Sequence, residues 1–114
     1  MPEVWDVVRV PFPYTDRPVR QHRPALVIAA PASNGRPGLL WVLMITSAAN
    51  RGWVSDVMIS DCVMAGLPVP ALVRTAKVAT IERRDAQKVG CLHNEDRVKV
   101  AAQLRRFLPP SLLQ

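Results

Sequence analysis

Short apolar runs, separated by proline and glycine, dominate the first half of the chain. Residues 4–10 form a valine-rich run that predicts a first strand, and the Pro-Phe-Pro break at residues 11–13 ends it, because proline cannot donate to a sheet ladder. A loop is predicted over residues 14–22. Arg23 then precedes a second predicted strand, residues 24–30, where proline at the first position costs no ladder hydrogen bond.

The third run, residues 39–46, is apolar on both faces, which predicts a strand in the middle of the sheet. Its far end is expected to emerge at Thr46 and Ser47. Asn-Gly and Pro-Gly pairs within residues 34–38 are strong turn signals, so strands two and three are predicted to form a hairpin. Residues 48–53 are predicted to be a loop.

The second half of the chain has a less regular pattern. Residues 54–60 alternate well enough to predict a fourth strand. Gly-Leu-Pro at residues 66–68 and Pro70 mark a turn, after which two further short strands are predicted over residues 71–74 and 77–81.

The C-terminal part predicts helix. Residues 83–88 are expected to make a short helical turn that ends at Gly90, and Asn94 is the predicted N-cap of a helix that runs to Leu108. One apolar stripe of this helix is expected to cover the core: Val100, Ala101, Leu104, Phe107 and Leu108. Several short strands followed by one helix predict a mainly β fold with helices (α+β), a small barrel or strongly bent antiparallel sheet with a C-terminal amphipathic helix.

Size and charge narrow the function classes. With 114 residues the chain is long enough for one hydrophobic core, so we expect a single domain over residues 1–114. A net charge of +6 gives the molecule a field that attracts polyanions, and nucleic acid is the leading candidate. A basic surplus that only keeps the protein soluble, an acidic membrane surface and an acidic protein partner also fit this charge.

Cysteine use and the N-terminus predict a cytoplasmic protein. Cys62 and Cys91 are too few and too far apart for a disulfide framework or a zinc-ligand pattern, which fits a reducing compartment. The first residues lack a charged leader followed by an apolar segment, and the longest apolar run, residues 38–45, is too short to span a membrane. We therefore expect a protein that is neither exported nor embedded in a membrane.

The chain offers a restricted set of chemical groups. His22 and His93 lie far apart and near no dense acidic or cysteine cluster, so no metal site and no cofactor are predicted. Neither a phosphate-binding glycine loop nor a GxSxG elbow occurs. RNA cleavage needs none of these, because the 2′-hydroxyl beside each phosphate is a built-in nucleophile. The enzyme must supply cationic hydrogen-bond donors for the developing phosphorane charge, a proton acceptor, and a proton donor for the departing 5′-oxygen. Arg23 and Thr46 suit the first of these tasks.

An ordered series of short motifs spans nearly the whole chain. In order, the motifs are Asp6-Val7-Val8, Pro11-Phe12-Pro13-Tyr14-Thr15-Asp16, Arg23-Pro24-Ala25-Leu26-Val27-Ile28, Met44-Ile45-Thr46-Ser47, Gly66-Leu67-Pro68, Val73-Arg74, Thr80-Ile81-Glu82 and Val89-Gly90-Cys91-Leu92. With this series the chain resembles the MazF/PemK-type toxin endoribonucleases of bacterial toxin-antitoxin systems.

The resemblance implies both a fold and an activity. Its members are small SH3-like barrels decorated with helices that form homodimers. They cut single-stranded RNA, including mRNA, at short sequences without a metal, which implies cyclic phosphate and 5′-hydroxyl products. A cognate antitoxin protein holds them inactive, so single-stranded RNA, an antitoxin and a second copy of the chain are the implied partners.

The same resemblance implies two catalytic residues. The family's arginine before the second-strand proline falls on Arg23, and its threonine at the end of the third strand falls on Thr46. Arg23 would stabilise the phosphorane and is a candidate for proton transfer, and Thr46 would hydrogen-bond a phosphate oxygen. Ser47 and His22 are candidates to assist. The alternatives are a solvated loop-end cation for Arg23, a β-branched strand residue for Thr46 and a surface histidine without a role.

Two positions depart from the family pattern. Arg74 matches a basic residue that some members use, but Ala76 stands where those members carry an acidic residue. This replacement removes a candidate general base or base-reading group, so proton transfer is arranged differently here or cleavage is weak or absent. Trp5 stands where the family usually has glycine, ahead of Asp6.

Several loop residues are candidates for RNA binding. Tyr14 and Trp53 are aromatic residues that can stack on an unpaired base, although each can also simply anchor its loop. Trp41, inside an apolar strand, is predicted to belong to the core. Four cations are candidates for phosphate contacts, with a solvated surface charge as the alternative for each: Arg17, Arg20, Arg51 and Lys77.

Two other function classes stay open at this stage. One is a barrel-type toxin that acts on a protein target such as DNA gyrase, for which the Arg23 and Thr46 pair would not be needed. The other is a non-catalytic SH3-like module that binds nucleic acid or a peptide, which Ala76 in place of an acidic residue favours.

Overall fold

A computed structural model describes residues 2–12, 21–31 and 38–112 of the chain. Within those ranges the backbone forms six strands, one α-helix and three 3-10 turns. The strands are β1 (Asp6–Phe12), β2 (Gln21–Ala29), β3 (Leu39–Ser47), β4 (Asp56–Met58), β5 (Ala71–Glu82) and β6 (Gln87–Cys91). The helix is α1 (Asn94–Phe107), and the 3-10 turns are Ala48–Asn50, Arg83–Asp85 and Pro110–Leu112.

The strands form one antiparallel sheet in the order β4-β5-β3-β2-β1-β6. β3 lies between β5 and β2, which confirms the predicted central position of the third strand. Register shifts interrupt the β1–β6, β2–β3 and β3–β5 ladders, and such bulges bend and twist a sheet. The predicted mainly β fold, with a bent antiparallel sheet and a C-terminal helix, is confirmed. No helix in the described ranges is long and apolar enough to cross a membrane.

The predicted boundaries of the first two strands were wrong. β1 continues through Pro11 to Phe12, because β6 pairs only with the first part of β1 and leaves Pro11 with a neighbour on one side, where a missing N–H is tolerated. β2 begins at Gln21, so His22 and Arg23 lie within the strand and not in the loop before it. Their partners across the ladder are Pro11 and Val10.

The strands after β3 also differ from prediction. β4 is only three residues long, and the two short strands predicted after residue 70 are one strand of 12 residues. The register of β3 with β5 jumps from Leu43↔Val78 to Met44↔Arg74, so residues 75–77 form a bulge. That bulge produced the break in the apolar pattern. Of the predicted turn at residues 34–38, only Gly38 lies within the described residues. β2 and β3 are antiparallel neighbours, as the predicted hairpin requires.

Gly90 does not end a helical turn, as was predicted, but lies inside β6. Only Arg83–Asp85 is helical in this stretch. A Cβ at Gly90 would overlap the backbone of Met64 and Ala65, and one at Gly66 would overlap the backbone of Val89. Gly66 also has a φ of +72°, a left-handed conformation that favours glycine. The two glycines therefore let the segment before residue 67 lie directly against β6.

The C-terminal helix ends one residue earlier than predicted, and its N-cap is His93 in place of Asn94, because His93 Nδ1 accepts a hydrogen bond from the Glu95 N–H at 3.2 Å. Asp96, fully buried, accepts hydrogen bonds from Ser60 N at 2.8 Å and Ser60 Oγ at 2.9 Å. This carboxylate fastens the helix to the chain that follows β4.

Buried side chains form a cluster on each face of the sheet. One cluster contains Val7, Leu26 and the helix residue Val100, with Leu104 packed against it. The other cluster contains the alternate strand residues, such as Val8 and Ala25. The helix therefore covers the first cluster, as predicted, but the end of its apolar stripe is left open.

Trp41 was predicted to be a core residue, and this prediction was wrong. Its side chain is 48% exposed although its neighbours in β3 are buried. It lines an open apolar groove of about 580 Å³ between the sheet and the end of α1. Phe107 and Leu108, the last residues of the predicted stripe, line the same groove and are also largely exposed.

Trp5 has a φ of +76°. This left-handed conformation is costly for a residue with a side chain but not for glycine, which the resemblance implies at this position. The Trp5 N–H donates to Val27 O at 2.8 Å, and its carbonyl accepts from Leu92 N at 3.0 Å. The ring packs against the cluster under the helix, with the Arg97 guanidinium 5.9 Å from its centroid.

Candidate active site

Arg23 and Thr46 line the same surface cleft, which has a volume of about 210 Å³. They come from the neighbouring strands β2 and β3, whose observed pairing ends at Ala25↔Met44. Arg23 lies two residues before Ala25 and Thr46 two residues after Met44, so strand alternation directs both side chains to the face of that last pair. Ser47 lines the cleft too, and the remaining lining residues are Pro24, Ile45, Leu67, Pro68, Val69 and Ala71.

Arg23 carries a charge that no acidic residue in the described ranges neutralises. Its side chain is exposed, and none of the ion pairs between described residues includes it. The guanidinium lies 4.8 Å from the centroid of the Phe12 ring, and Nη2 donates to Gln21 Oε1 at 3.3 Å. These contacts orient the side chain but leave its charge available to an anion.

The Thr46 hydroxyl is hydrogen-bonded inside the protein as an acceptor. Asn50 Nδ2 donates to Thr46 Oγ1 at 2.9 Å. A hydroxyl has one proton to donate and two lone pairs, so this contact leaves the Thr46 proton for another acceptor. Ser47 is the N-cap of the Ala48–Asn50 turn, and its Oγ accepts from Ala49 N at 3.3 Å. Both hydroxyls can therefore donate to a phosphate oxygen in the cleft.

Arg74 is held by other residues of the protein. Its Nε and Nη2 donate to the two carboxylate oxygens of Asp56 at 3.2 and 3.0 Å. Nη2 also donates to Asn50 O at 2.7 Å, and the guanidinium lies 4.4 Å from the centroid of the Trp53 ring. Only 13% of the Arg74 side chain is exposed. The predicted assisting cation is thus part of a clamp on the segment that follows β3.

The clamp shifts the pKa values of both charged partners. Burial alone would raise the pKa of Asp56, but the hydrogen bond from Arg74, that from the Trp53 N–H and the positive charge of Arg74 together lower it. The hydrogen bond to Asp56 in turn raises the pKa of Arg74. The pair is therefore ionised at neutral pH, and Asp56 is a poor proton acceptor.

The other predicted site residues lie in different places. His22 is exposed in β2, and strand alternation directs its side chain to the face opposite that of Arg23. Arg51 lines a second cleft of about 410 Å³, which shares Ser47 and Val69 with the first. Lys77 is exposed in the β5 bulge and lines neither cleft. Tyr14, Arg17 and Arg20 lie outside the described residues.

Trp53 is 48% exposed beside the clamp. Arg74 covers part of the Trp53 ring. The backbone N–H of Trp53 donates to Asp56 Oδ2 at 3.2 Å. An aromatic ring held in this way can stack on an unpaired base without losing much side-chain entropy. The geometry thus combines the two interpretations made from the sequence, since Trp53 is anchored and yet accessible.

Two residues of this site were not found from the sequence. Asn50 and Asp56 belong to no motif, and their contacts with Thr46 and Arg74 depend on how the chain folds back after β3. The four-residue spacing from Thr46 to Asn50 would have been informative only if a turn had been predicted at residues 48–50. Among the described residues, no group of three or more His, Cys, Asp and Glu side chains is arranged to hold a metal ion.

Known structures resemble this fold closely. A mycobacterial endoribonuclease solved in complex with its cognate antitoxin has a TM-score of 0.70 at 18% identity, covering 96% of this chain and 98% of its own. MazF of a MazE-MazF crystal structure from Deinococcus radiodurans has a TM-score of 0.69 at 23% identity, and the match covers 93% of each chain. The Mycobacterium tuberculosis toxin MazF-mt6 has a TM-score of 0.63 at 20% identity, and the match covers 87% of this chain and 92% of its own. At such identities these neighbours show the fold.

A family model gives the classification. No curated protein matches the sequence. The model that does match describes the PemK-like, MazF-like toxins of type II toxin-antitoxin systems, and its match runs over residues 3–108, nearly the full chain. The chain therefore belongs to this family of PemK-like, MazF-like toxins.

Proposed function

We propose that this chain is the toxin of a type II toxin-antitoxin system and a sequence-specific, metal-independent endoribonuclease that cuts single-stranded RNA, mRNA included. The observation that carries the proposal is the cleft that Arg23 and Thr46 share, because it combines a hydroxyl donor with a cation that forms no ion pair with any described residue. Membership of a toxin family and a net charge of +6 support an anionic RNA substrate.

The proposed reaction is an internal transesterification. The 2′-oxygen loses its proton and bonds to the adjacent phosphorus, the bond from phosphorus to the 5′-oxygen breaks, and that oxygen takes up a proton. The products are a 2′,3′-cyclic phosphate and a free 5′-hydroxyl. Arg23 stabilises the negative charge of the phosphorane, and Thr46, assisted by Ser47, donates a hydrogen bond to one of its oxygens.

Proton transfer is assigned to neither of these two residues. An arginine stays protonated at any ordinary pH, and a threonine hydroxyl is a weak acid. Asp56 forms an ion pair with Arg74, which makes it a poor proton acceptor, and Ala76 offers no carboxylate. His22 was the sequence's candidate for this role, but strand alternation directs its side chain away from the face of Arg23. A His22→Gln variant is therefore expected to cut RNA at the wild-type rate, and a large loss of cleavage would return the role to His22.

The test of the proposal is an incubation with long single-stranded RNA in excess chelator. The wild-type protein, freed of any inhibitor, is expected to give discrete fragments with cyclic phosphate and 5′-hydroxyl ends. Arg23→Ala should lose these cuts while it keeps the melting temperature, and Arg105→Ala, which removes an exposed helix arginine, should retain them. RNA left intact by the wild-type protein would contradict the proposal.

A non-catalytic nucleic-acid-binding module is the second candidate. It is favoured by Ala76 and by the engagement of Arg74 with Asp56, which leave the site without the acidic and basic pair of some relatives. Retention of RNA on a filter without any cleavage would indicate this function. A toxin that acts on DNA gyrase has less support, since it needs neither Arg23 nor Thr46.

Two protein partners belong to the proposal. The first is a cognate antitoxin, as in the mycobacterial and Deinococcus complexes, with an acidic segment suited to the cleft that Arg23 lines. The second is another copy of this chain, for which the exposed apolar groove around Trp41 and Phe107 is the candidate surface. Sedimentation of wild type and Trp41→Glu, which should dissociate the homodimer, tests the second partner. We place the toxin in the cytoplasm, where its RNA substrate is.

A further inference from the structure

The segment that follows β3 links the clamp around Arg74 to the hydroxyl of Thr46. The linkage joins four residues in order. The Arg74 guanidinium donates to the Asp56 carboxylate and to the backbone carbonyl of Asn50, and the Asn50 side chain donates to the Thr46 hydroxyl. Every distance along it lies between 2.7 and 3.2 Å. A disturbance at Arg74 can therefore reach the cleft without any contact between Arg74 and RNA.

Asn50 is fixed in place from two sides. It is the last residue of the Ala48–Asn50 turn, which the Ser47 side chain caps and the Arg51 N–H closes by donating to Ala48 O at 3.2 Å. The turn is attached to the chain before β5 because Ala48 N donates to Pro70 O at 3.0 Å. On its other side the backbone carbonyl of Asn50 accepts the short hydrogen bond from Arg74.

The Asn50 amide determines where the Thr46 proton points. Because Asn50 Nδ2 donates to Oγ1, one lone pair of the hydroxyl oxygen is occupied and its proton cannot point along that line. The remaining directions include the cleft, in which Thr46 is a lining residue and Asn50 is not. Without Asn50 the hydroxyl would rotate freely and lose part of its orientation toward a bound phosphate.

Three of the five N–H groups of Arg74 are engaged within the protein. Both carboxylate oxygens of Asp56 accept from it, Asn50 O accepts a further hydrogen bond, and the Trp53 ring covers the guanidinium. It lines neither the cleft of Thr46 nor the neighbouring cleft of Arg51. A forked contact of Nε and Nη2 with a phosphate would require their hydrogen bonds with Asp56 to break.

We propose that Asn50 is a positioning residue that directs the Thr46 hydroxyl toward the scissile phosphate, and that Arg74 serves the reaction by holding Asn50 and not by binding RNA. The inference rests on the proposed RNA cleavage. It concerns Asn50 and Arg74, which act through Thr46 and have no part of their own in the bond-making and bond-breaking steps.

The first test does not depend on activity. The NMR signal of the Thr46 methyl group is compared between free wild-type protein and the variants Asn50→Ala and Arg74→Gln. Both variants are expected to shift the signal, and Arg105→Ala, at an exposed helix position, should leave it unchanged. An unmoved Thr46 signal in either variant would overturn the inference even if the wild-type protein cuts no RNA.

The second test uses cleavage rates and a double-mutant cycle. Asn50→Ala should lower kcat about tenfold and Thr46→Val about a hundredfold, with the melting temperature as a check on folding. In the Thr46→Val background, Asn50→Ala should change kcat by less than about twofold, because its effect passes through the missing hydroxyl. Independent, multiplying effects would show that Asn50 acts on something other than Thr46.

The third test separates positioning by Arg74 from contact with RNA. Arg74→Lys keeps the charge but lacks the fork that binds Asp56 and Asn50 together, so it should lose activity as Arg74→Gln does. Binding of an RNA with a 2′-deoxy sugar at the cut site should keep its affinity and salt dependence in both variants. Rescue by lysine, or a salt slope lowered by about 0.7 in Arg74→Gln, would mean that Arg74 contacts a phosphate.

Discussion

The left-handed backbone at Trp5 makes a prediction that inverts the usual order of two substitutions. A residue with a Cβ costs about 1–2 kcal/mol in this conformation, whereas glycine adopts it freely. Trp5 has a φ of +76°, and its N–H and carbonyl are both hydrogen-bonded to neighbouring segments, so the backbone is held there. We therefore compare Trp5→Ala with Trp5→Gly, which remove the same ring.

The magnitude follows from three contributions. Loss of the half-buried ring, with its packing and its Arg97 contact, should destabilise both variants by about 2 kcal/mol. Glycine then regains about 1–2 kcal/mol of left-handed strain but costs about 0.5–1 kcal/mol in backbone entropy. Trp5→Gly should therefore be more stable than Trp5→Ala by about 0.5–1 kcal/mol, which is roughly 3 °C in melting temperature.

Thermal and urea unfolding of the two variants provide the measurement. Trp41 gives a matched control, because it is a partly exposed tryptophan in β3 without a positive φ. There the ordinary order should hold, with Trp41→Gly less stable than Trp41→Ala. If alanine equals or exceeds glycine at position 5 while position 41 behaves as stated, the strain argument is refuted.

Three further predictions concern stability. Gly90→Ala should lower the free energy of unfolding in urea by about 1–3 kcal/mol, because the new Cβ would overlap backbone atoms. Gly38→Ala, whose Cβ would make only ordinary contacts, should change it by no more than about 0.5 kcal/mol. Similar values at the two sites would contradict this prediction. Asp56, whose pKa is lowered, should stabilise the fold above pH about 3.9 and lose this contribution as the pH falls through its native value. The stability gap between wild type and Asp56→Asn should thus narrow from pH 7 to pH 3, and a constant gap would refute the linkage. Asp96→Ala should cost about 2 kcal/mol, since it leaves the Ser60 donors unpaired, and thermal unfolding with no change would count against that role.

The parts of the fold that the sequence predicted are those with local physical causes. A run that is apolar on both faces requires cover on both sides, which placed β3 at the centre of the sheet. The apolar stripe of α1 is also local, and only the ends of the helix were displaced, by one residue each. Arg23 and Thr46 came together because antiparallel register brings two motifs to one face.

The errors have a common cause in tertiary contacts. Gly90 carries the same local signal whether it ends a helix or admits a neighbouring backbone, and only the approach of residues 64–65 distinguishes the two. Trp41 has a core-like sequence context, but no described element lies over it. The Arg74 clamp joins residues 18 and 24 positions apart, so no spacing along the chain could have predicted it.

The most direct test of the central claim is single-turnover cleavage, in excess chelator, of one RNA and of the same RNA with a 2′-deoxy sugar at its mapped cut site. The wild-type protein should cut the first RNA to a cyclic phosphate and leave that bond of the second intact. Arg23→Ala and Thr46→Val should cut the first RNA at least about a hundredfold more slowly while they unfold at the wild-type temperature. Cleavage of the deoxy-substituted bond, or full activity without Arg23, would contradict the account.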